Sequence, residues 1–299
     1  MSKLVARFGV PVLAVLAIAG CGSSSTSSST STTSSVPTTS ANSAIAAEVP
    51  AAIKAKGTLN VATEAQYAPN EFLAPDGHTV IGMDADLMKA LAEVMGLKVA
   101  FTNANFEAII PGLAAGRYDI GISSFTDTKE REKTVDFVTY YSAGISFYAK
   151  GSSNPGVTKI SDLCGKKVAV EKGTVELEEA NKQSAKCTKE GKPAVSVLSY
   201  TGQNPVTLAI ASGRAELGMV DSPVAAYQIK QTGGQFKLVG ESYSFAPYGI
   251  AIPKHSGMAA PTLAALKVLM SNGTYGQILT KWGIQSGAIS NPKINGAIS

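Results

Sequence analysis

The sequence predicts an α/β protein built on mostly parallel sheet with helices on both faces. Three observations lead there. Short apolar stretches alternate with longer ones whose apolar side chains recur at helical spacing. The alternation runs twice, once from about Gly57 and again from near residue 160. The composition is that of an ordinary folded chain: 299 residues, 44% hydrophobic and 16% charged, with 29 glycines and 14 prolines. That length suits one large domain or two smaller ones.

In the first run, "TLNVAT" (58–63) reads as a short buried strand. "DADLMKALAEVMG" (84–96) puts Leu87, Met88, Leu91, Val94 and Met95 on one helical face, with Asp84 placed to cap its start and Gly96 to end it. "LKVAFT" (97–102) is a second strand, "FEAIIPGLAAG" (106–116) a short helix bent or restarted at Pro111, and "YDIGISS" (118–124) a buried strand. The second run gives "KKVAVEKGT" (166–174) as strand and turn, then a helical stretch over 175–187. "AVSVLSY" (194–200), "NPVTLAIASGR" (204–214), "AELGMVD" (215–221) and "SPVAAYQIKQTGG" (222–234) continue as strand, helix, strand and helix. Pro223 sits in the first turn of that last helix, where its missing N–H costs nothing. "FKLVG" and "YGIAIPK" (248–254) are strands, and "PTLAALKVLMSNG" (261–273) and "TYGQILTKWG" (274–283) are helices. Tyr275 and Trp282 recur at helical spacing and read as core. The tail after Gly283 is rich in Gly, Ser, Asn and Pro and is expected to be loose.

The first residues follow another logic. Lys3 and Arg7 precede an apolar run from Phe8 to Ala19 that ends in small residues, the order of a secretory signal. The run is too short for a membrane-spanning helix, which needs about 20 residues. "IAGC" (18–21) resembles a bacterial lipobox, which would make Cys21 the acylated first residue of the mature protein; an ordinary signal containing a cysteine is the alternative. From Ser23 to Ser43 the chain is almost all serine and threonine and reads as a disordered tether. The formal charge of +4 is too mild to argue for nucleic acid, and no basic cluster or RNA-binding aromatic motif is present. Cys164 and Cys187 remain, and export into an oxidising place favours their pairing over two buried thiols. With two histidines, His78 and His255, neither near a cysteine in sequence, no metal site is indicated.

The stretch "GISSFTDTKERE" (121–132) collects two serines, a threonine and an arginine where an apolar strand ends. Together with "VATEAQYAP", "GMDADLMKALAEVMGLKV", "VDFVTYY", "DLCGKKVAVEKGT", "LAIASGRAELGMVDSP", "YGIAIPK" and "GTYGQILTKWG", in that order, it resembles the amino-acid-type (family 3) solute-binding proteins of bacterial ABC importers. The resemblance covers about Gly57 to Gly283. It implies a two-lobed periplasmic-binding-protein-like fold, with two crossover strands forming a hinge and the ligand between the lobes. The expected organisation is a lipoprotein signal peptide at 1–20 and a tether at 21–44. The first lobe would span 45–145, the second 146–246, and residues 247–299 would return to the first lobe and end in the loose tail. The crossings would fall near "GISFY" and "FAPYG".

The resemblance also implies the site. Arg131 would meet the carboxylate of an amino acid through a two-bond fork. Thr126 would add a hydroxyl and an N–H, and a helix start at "DTKE" (127–130) would favour the anion. Ser124 and Asp221 would accept from the α-amino group, Ser123 would reach toward the far end of the ligand, and Tyr67 and Phe106 would stack on its side chain. Thr174 and the backbone N–H of Val175 would close over the carboxylate. Val175 replaces the hydroxyl the family often carries there. Glu64, in "ATEAQYAP", stands where members that take basic amino acids often have an acid. A basic or polar amino acid is therefore expected, ahead of glutamine and of acidic ligands. The other expected features are a monomer that docks on ABC permease subunits, a lipid anchor on the outer face of a Gram-positive-type membrane, no cofactor and no catalysis. A sensing subunit, or a dehydratase- or lyase-like enzyme on the same fold, are the alternatives. The absence of a G-x-S-x-G elbow, a P-loop or a metal cluster in the sequence argues against the enzyme.

Overall fold

The computed structural model describes residues 39–298. The signal segment, Cys21 and the tether before Thr39 lie outside the described residues. Two short helices open the described chain, α1 (Ser43–Glu48) and α2 (Ala51–Lys56). Asn42 caps α1 by accepting from Ala44 N–H and Ile45 N–H, and Ile45 and Val49 are buried. Ordered structure therefore begins before residue 45, the boundary expected from sequence; alanine-rich, weakly patterned sequence concealed these helices.

The first unit continues as β1 (Thr58–Thr63), β2 (Gln66–Tyr67), β3 (Glu71–Leu73), β4 (Val80–Ile81), α3 (Met83–Val94), β5 (Lys98–Asn103), α4 (Phe106–Ala114) and β6 (Ile120–Gly121). Then come β7 (Val135–Lys150), β8 (Lys167–Glu171), α5 (Val175–Lys189), β9 (Ser196–Tyr200), α6 (Gln203–Ala211), β10 (Leu217–Asp221), α7 (Ser222–Gln231) and β11 (Phe236–Pro253). The chain closes with α8 (Ala259–Ser271) and α9 (Thr274–Trp282). Helix α4 runs through Pro111 without restarting.

Eight strands form one sheet in the order β5-β1-β6-β11-β7-β10-β8-β9. At one end β5, β1 and β6 are parallel, and at the other β10, β8 and β9 are parallel. The long strands β7 and β11 pair antiparallel between them. The two-strand period assigns each face its helices. In β8, Val168 and Val170 pack toward α5, and Ala169 packs in the cluster that holds Val206 and Ala209 of α6. In β1, Leu59 and Val61 join the core of α3, α8 and α9, while Ala62 joins that of α4.

The two long strands carry the chain from one core to the other. Tyr140, Tyr141 and Ala143 of β7 belong to the core of α3, and Ile145, Phe147 and Ala149 to that of α5. β11 makes the reverse passage between Tyr243 and Tyr248, where its register against β7 shifts. These are the places where the sequence predicts the crossings. Cys164 and Cys187 form a disulfide, Cα–Cα 5.6 Å, that ties the loop before β8 to α5.

The tail corrects an expectation. Residues after Gly283 are not loose. Ile294 bridges to Val138 of β7, Thr139 N–H donates to Lys293 O (2.9 Å) and Asn295 N–H donates to Phe137 O (2.9 Å). Asn295 Oδ1 accepts from Phe137 N–H at 2.8 Å. Polar composition misled the sequence reading, because this segment is held through its backbone rather than by apolar burial.

Candidate functional site

The site begins where β1 and β6 end. The two strands are parallel neighbours, so the residues that follow them, Glu64 after β1 and Ser123 and Ser124 after β6, meet at the same end of the sheet. Ser123 Oγ accepts from Glu64 N–H (2.9 Å) and donates to Glu71 Oε1 (3.2 Å). Ser124 Oγ accepts from Asn70 Nδ2 (2.9 Å) and donates to Glu71 Oε2 (3.1 Å). Ser124 sits at φ +49, a left-handed conformation rare for serine, and its N–H is held by Asp84 Oδ2 at 3.0 Å. Asp84 also accepts from the Tyr140 hydroxyl (2.8 Å). Its carboxyl is thus a buried bracket behind the site rather than the helix cap expected from sequence.

Arg131 lies beside the Phe106 and Phe125 rings, 5.5 Å and 5.8 Å from their centroids. The rings stack on each other at 4.7 Å. Phe106 therefore both lines the cavity and lies within cation–π distance of the guanidinium. Nη1 of Arg131 donates to Thr126 O (2.7 Å) and Nη2 to Gly173 O (2.9 Å). The segment 127–130 is not the start of an α-helix: it turns into a three-residue 3-10 helix, Arg131–Lys133, with Arg131 N–H on Thr128 Oγ1. The helix-start contribution expected there is absent, and the arginine alone supplies the cationic character of this wall.

The opposite wall comes from the other core. Thr174 caps α5, accepting from Leu177 N–H (3.2 Å) and donating to Glu171 O (2.8 Å). The N-terminus of this fifteen-residue helix, at Val175 and Glu176, opens on the cavity, a partial positive charge suited to an anion. Gly173 makes the approach possible: at φ +78, an added Cβ would stand 3.0 Å from Glu107 Cβ on α4. Gly202 does the same against Gln66, where a Cβ would meet the amide at 2.7 Å. Asp221 precedes α7 but makes no side-chain cap bond. Its Oδ2 instead accepts from the Tyr67 hydroxyl at 3.0 Å, so Tyr67 spans the cleft and adds a polar link to the stacking role expected of it.

These walls bound a space of about 290 Å³, part of it open to solvent. All ten ligand-binding residues expected from sequence line it, joined by Glu71, Glu171 and Glu176. Five acids thus face one arginine. Burial pushes Glu64 up to about 7. Burial, then the charge of Glu64, pushes Glu171 up to about 9. Burial raises Asp221 to about 6, opposed by the Tyr248 and Tyr67 hydroxyls. Burial and then Asp221 hold Glu176 well above the usual carboxylate range. One carboxylate oxygen of each of Glu64, Glu171 and Glu176 is buried without a partner. Among the described residues no three His, Cys, Asp or Glu side chains are grouped to hold a metal ion. The acids are therefore spread around the cavity rather than grouped.

The added acids left weak signals. Glu171 and Glu176 flank the "KGT" turn, and Glu71 follows "YAPN", but spacing alone does not tell a buried acid from a solvated one.

The family model for bacterial extracellular solute-binding proteins, family 3, matches residues 59–285. The arginine-binding protein ArgT of Corynebacterium glutamicum is 35% identical over 252 residues, covering 84% of this chain and 82% of that protein. An ancestral arginine-binding protein solved with arginine is similar at TM-score 0.70 and 35% identity, over 76% of this chain and 98% of its own. An ancestral amino-acid-binding protein, a precursor of cyclohexadienyl dehydratase, is similar at TM-score 0.67 and 34% identity, over 77% and 97%.

Proposed function

The chain belongs to the bacterial extracellular solute-binding proteins of family 3, and we propose that it captures an amino acid with a cationic side chain outside the cell for an ABC importer. The observation that carries this reading is the charge count of the cavity: five acids and one arginine, with three carboxylate oxygens lacking partners. A buried carboxylate must be paired or protonated. A basic amino acid supplies two cations and one anion, which suits that imbalance. A neutral ligand supplies one of each, and an acidic one adds charge of the wrong sign.

The roles follow the family resemblance, and the gathering of these residues around one cavity supports them. The α-carboxylate takes the free edge of the Arg131 guanidinium and the N-terminus of α5 at Thr174 and Val175. The α-ammonium takes Asp221, with Ser124 and Thr126 on the first wall. The side chain passes Tyr67, Phe106 and Ser123 toward Glu64. The names of several relatives point the same way, to arginine, while others name glutamine, cystine or histidine. The lobes, about 45–145 with 247–299 and 146–246, close by a hinge at the crossings of β7 and β11. The closed form, a monomer held by a lipid on Cys21 at the outer membrane face, docks on a permease whose own subunits hydrolyse ATP. No turnover of the ligand is involved.

Replacing Arg131 by alanine tests the assignment. Removing one partner of a buried charged pair costs about 2–5 kcal/mol, or about 30- to several-thousand-fold in affinity. Equilibrium dialysis with labelled L-arginine should show that loss with the circular dichroism spectrum intact. Unchanged affinity would remove Arg131 from the carboxylate site.

A further inference from the structure

Glu64 and Glu171 come from opposite sides of the cleft. Glu64 follows β1, and Glu171 is the last residue of β8. Their exposures are 2% and 3%, and both line the same cavity. Their backbones are fixed. Glu64 N–H is held by Ser123 Oγ, and Glu64 O accepts from Gln66 N–H at 3.0 Å. Glu171 O accepts from Thr174 Oγ1, and the strand pairs it with Tyr200 of β9. Their carboxylates are not fixed in this way, since Oε1 of each has no hydrogen-bond partner. Two acids positioned by their main chains, with open oxygens on one enclosed space, are arranged for a ligand group and not for each other.

We propose that Glu171 is a specificity-determining residue, and that with Glu64 it forms a two-carboxylate clamp, one jaw from each lobe, for the cationic end of the ligand side chain. The proposal rests on the capture reading above and adds to it. A single acid in the first lobe would attract a cation whether or not the cleft closed. A second acid on the closing lobe makes closure itself depend on the cation, because without one the jaws bring like charges into a dry space.

The charged and titratable groups around Glu171 leave it no other neutralising partner. Glu64, Glu107 of α4, Glu176 of α5 and Asp221 at the end of β10 all push its pKa up further. Tyr67 of β2, Tyr148 of β7 and Tyr200 of β9 are neutral neighbours. Arg131, the one cation of the cavity, is engaged with Thr126 O and Gly173 O.

The clamp makes selectivity depend on pH, with a fixed sign. L-Citrulline has nearly the shape of L-arginine but no side-chain charge. Closing on arginine leaves the pair ionised. Closing on citrulline leaves it holding at least one more proton. The ratio of the two affinities therefore changes with pH by that difference in bound protons, whatever the state of the free protein. It rises with pH, by at most about tenfold per unit for one proton. In the cation-free cleft burial places Glu64 at about 7 and Glu171 at about 9, so the rise extends through neutrality.

Titration calorimetry with L-arginine and L-citrulline at pH 6, 7 and 8 tests this on the wild-type protein and on Glu171→Gln. In the wild type the preference for arginine should climb with each pH step. In Glu171→Gln it should fall by about tenfold or more at pH 8 and rise less steeply with pH. A flat wild-type ratio would overturn the clamp, and so would a Glu171→Gln protein with unchanged preference and slope; the first needs no variant to fold. If the wild type binds neither ligand, the capture reading fails and takes the clamp with it. If it binds arginine and only the Glu171 effect is missing, the clamp alone is lost.

Discussion

Tyr67 and Asp221 hold each other across the cleft. The Tyr67 hydroxyl donates to Asp221 Oδ2 at 3.0 Å and accepts from Asp221 N–H at 3.2 Å. The two residues lie 154 positions apart, on β2 and at the end of β10, so in the proposed closed form this reciprocal pair acts as a latch. Tyr67→Phe removes the hydroxyl and leaves a buried carboxylate short of a donor, which costs about 1–3 kcal/mol. The expected result is an intact fold with weaker L-arginine binding, about 5- to 150-fold, carried mostly by faster release. Stopped-flow dissociation measures it, and an unchanged release rate would mean that the latch does not hold the closed state.

Glu71 and Asp84 set the response of stability to pH. Glu71 of β3 lines the cavity and Asp84 of α3 lies behind it, the two bonded to Ser123, Ser124 and Tyr140. Burial and then the charge of Asp84 hold Glu71 well above the usual range, and burial raises Asp84 to about 6. Both folded values lie above the unfolded ones, so their contribution is fully present below about pH 4 and lost as pH rises through 6 and beyond. The melting temperature of the ligand-free protein should fall between pH 5 and pH 8. Glu71→Gln should flatten that fall, and an equally steep profile in the variant would exclude this pair as its source.

The fold was legible because a two-residue and a 3.6-residue period alternate along most of the chain. The strands 58–63 and 215–221 and the helices 204–214 and 261–273 stand within a few residues of their expected places. Arg131, Asp221, Thr174 and Glu64 were legible through the family resemblance, and the cavity gathers them. Three kinds of feature were not legible. Glu71, Glu171 and Glu176 are charged residues buried against their type's habit, which no local pattern reveals. The turn at 127–133 was misread because "DTKE" (127–130) imitates a helix cap. The tail was misread because main-chain pairing to β7 has no composition.

That tail supports the arginine turn. Gly296 N–H donates to Asp127 Oδ2 (2.7 Å) and Ala297 N–H to Glu132 Oε1 (3.1 Å). These carboxylates flank Arg131 in sequence, and burial pushes Asp127 up to about 7. Deleting residues 293–299 leaves both without their backbone donors and frees the edge of β7. Hydrogen bonds to charged groups contribute about 1.5–3 kcal/mol each. A lower melting temperature together with about tenfold or greater loss of L-arginine affinity is expected, by thermal melting and calorimetry. Full affinity in the truncated protein would show that the turn needs no support from the tail.

Cys21→Ser separates anchoring from binding. The lipobox-like "IAGC" implies that acylation alone holds the folded body at the membrane. The variant should appear in the medium with its affinity for L-arginine unchanged. Retention in the membrane fraction would contradict the anchor without touching the binding site.

The most direct test of cationic amino-acid capture is a thermal-shift screen of the purified protein, first unfolded and refolded to strip carried-over ligand. The panel is L-arginine, L-lysine, L-ornithine, L-citrulline, L-glutamine, L-glutamate and L-aspartate. A ligand at 1,000 times its dissociation constant adds about 4.1 kcal/mol to stability, well within the resolution of a melting curve. The account predicts the largest shifts for arginine, lysine or ornithine, smaller ones for citrulline and glutamine, and none for the acids. A larger shift with glutamate than with any cationic amino acid, or no shift across the panel, would contradict it.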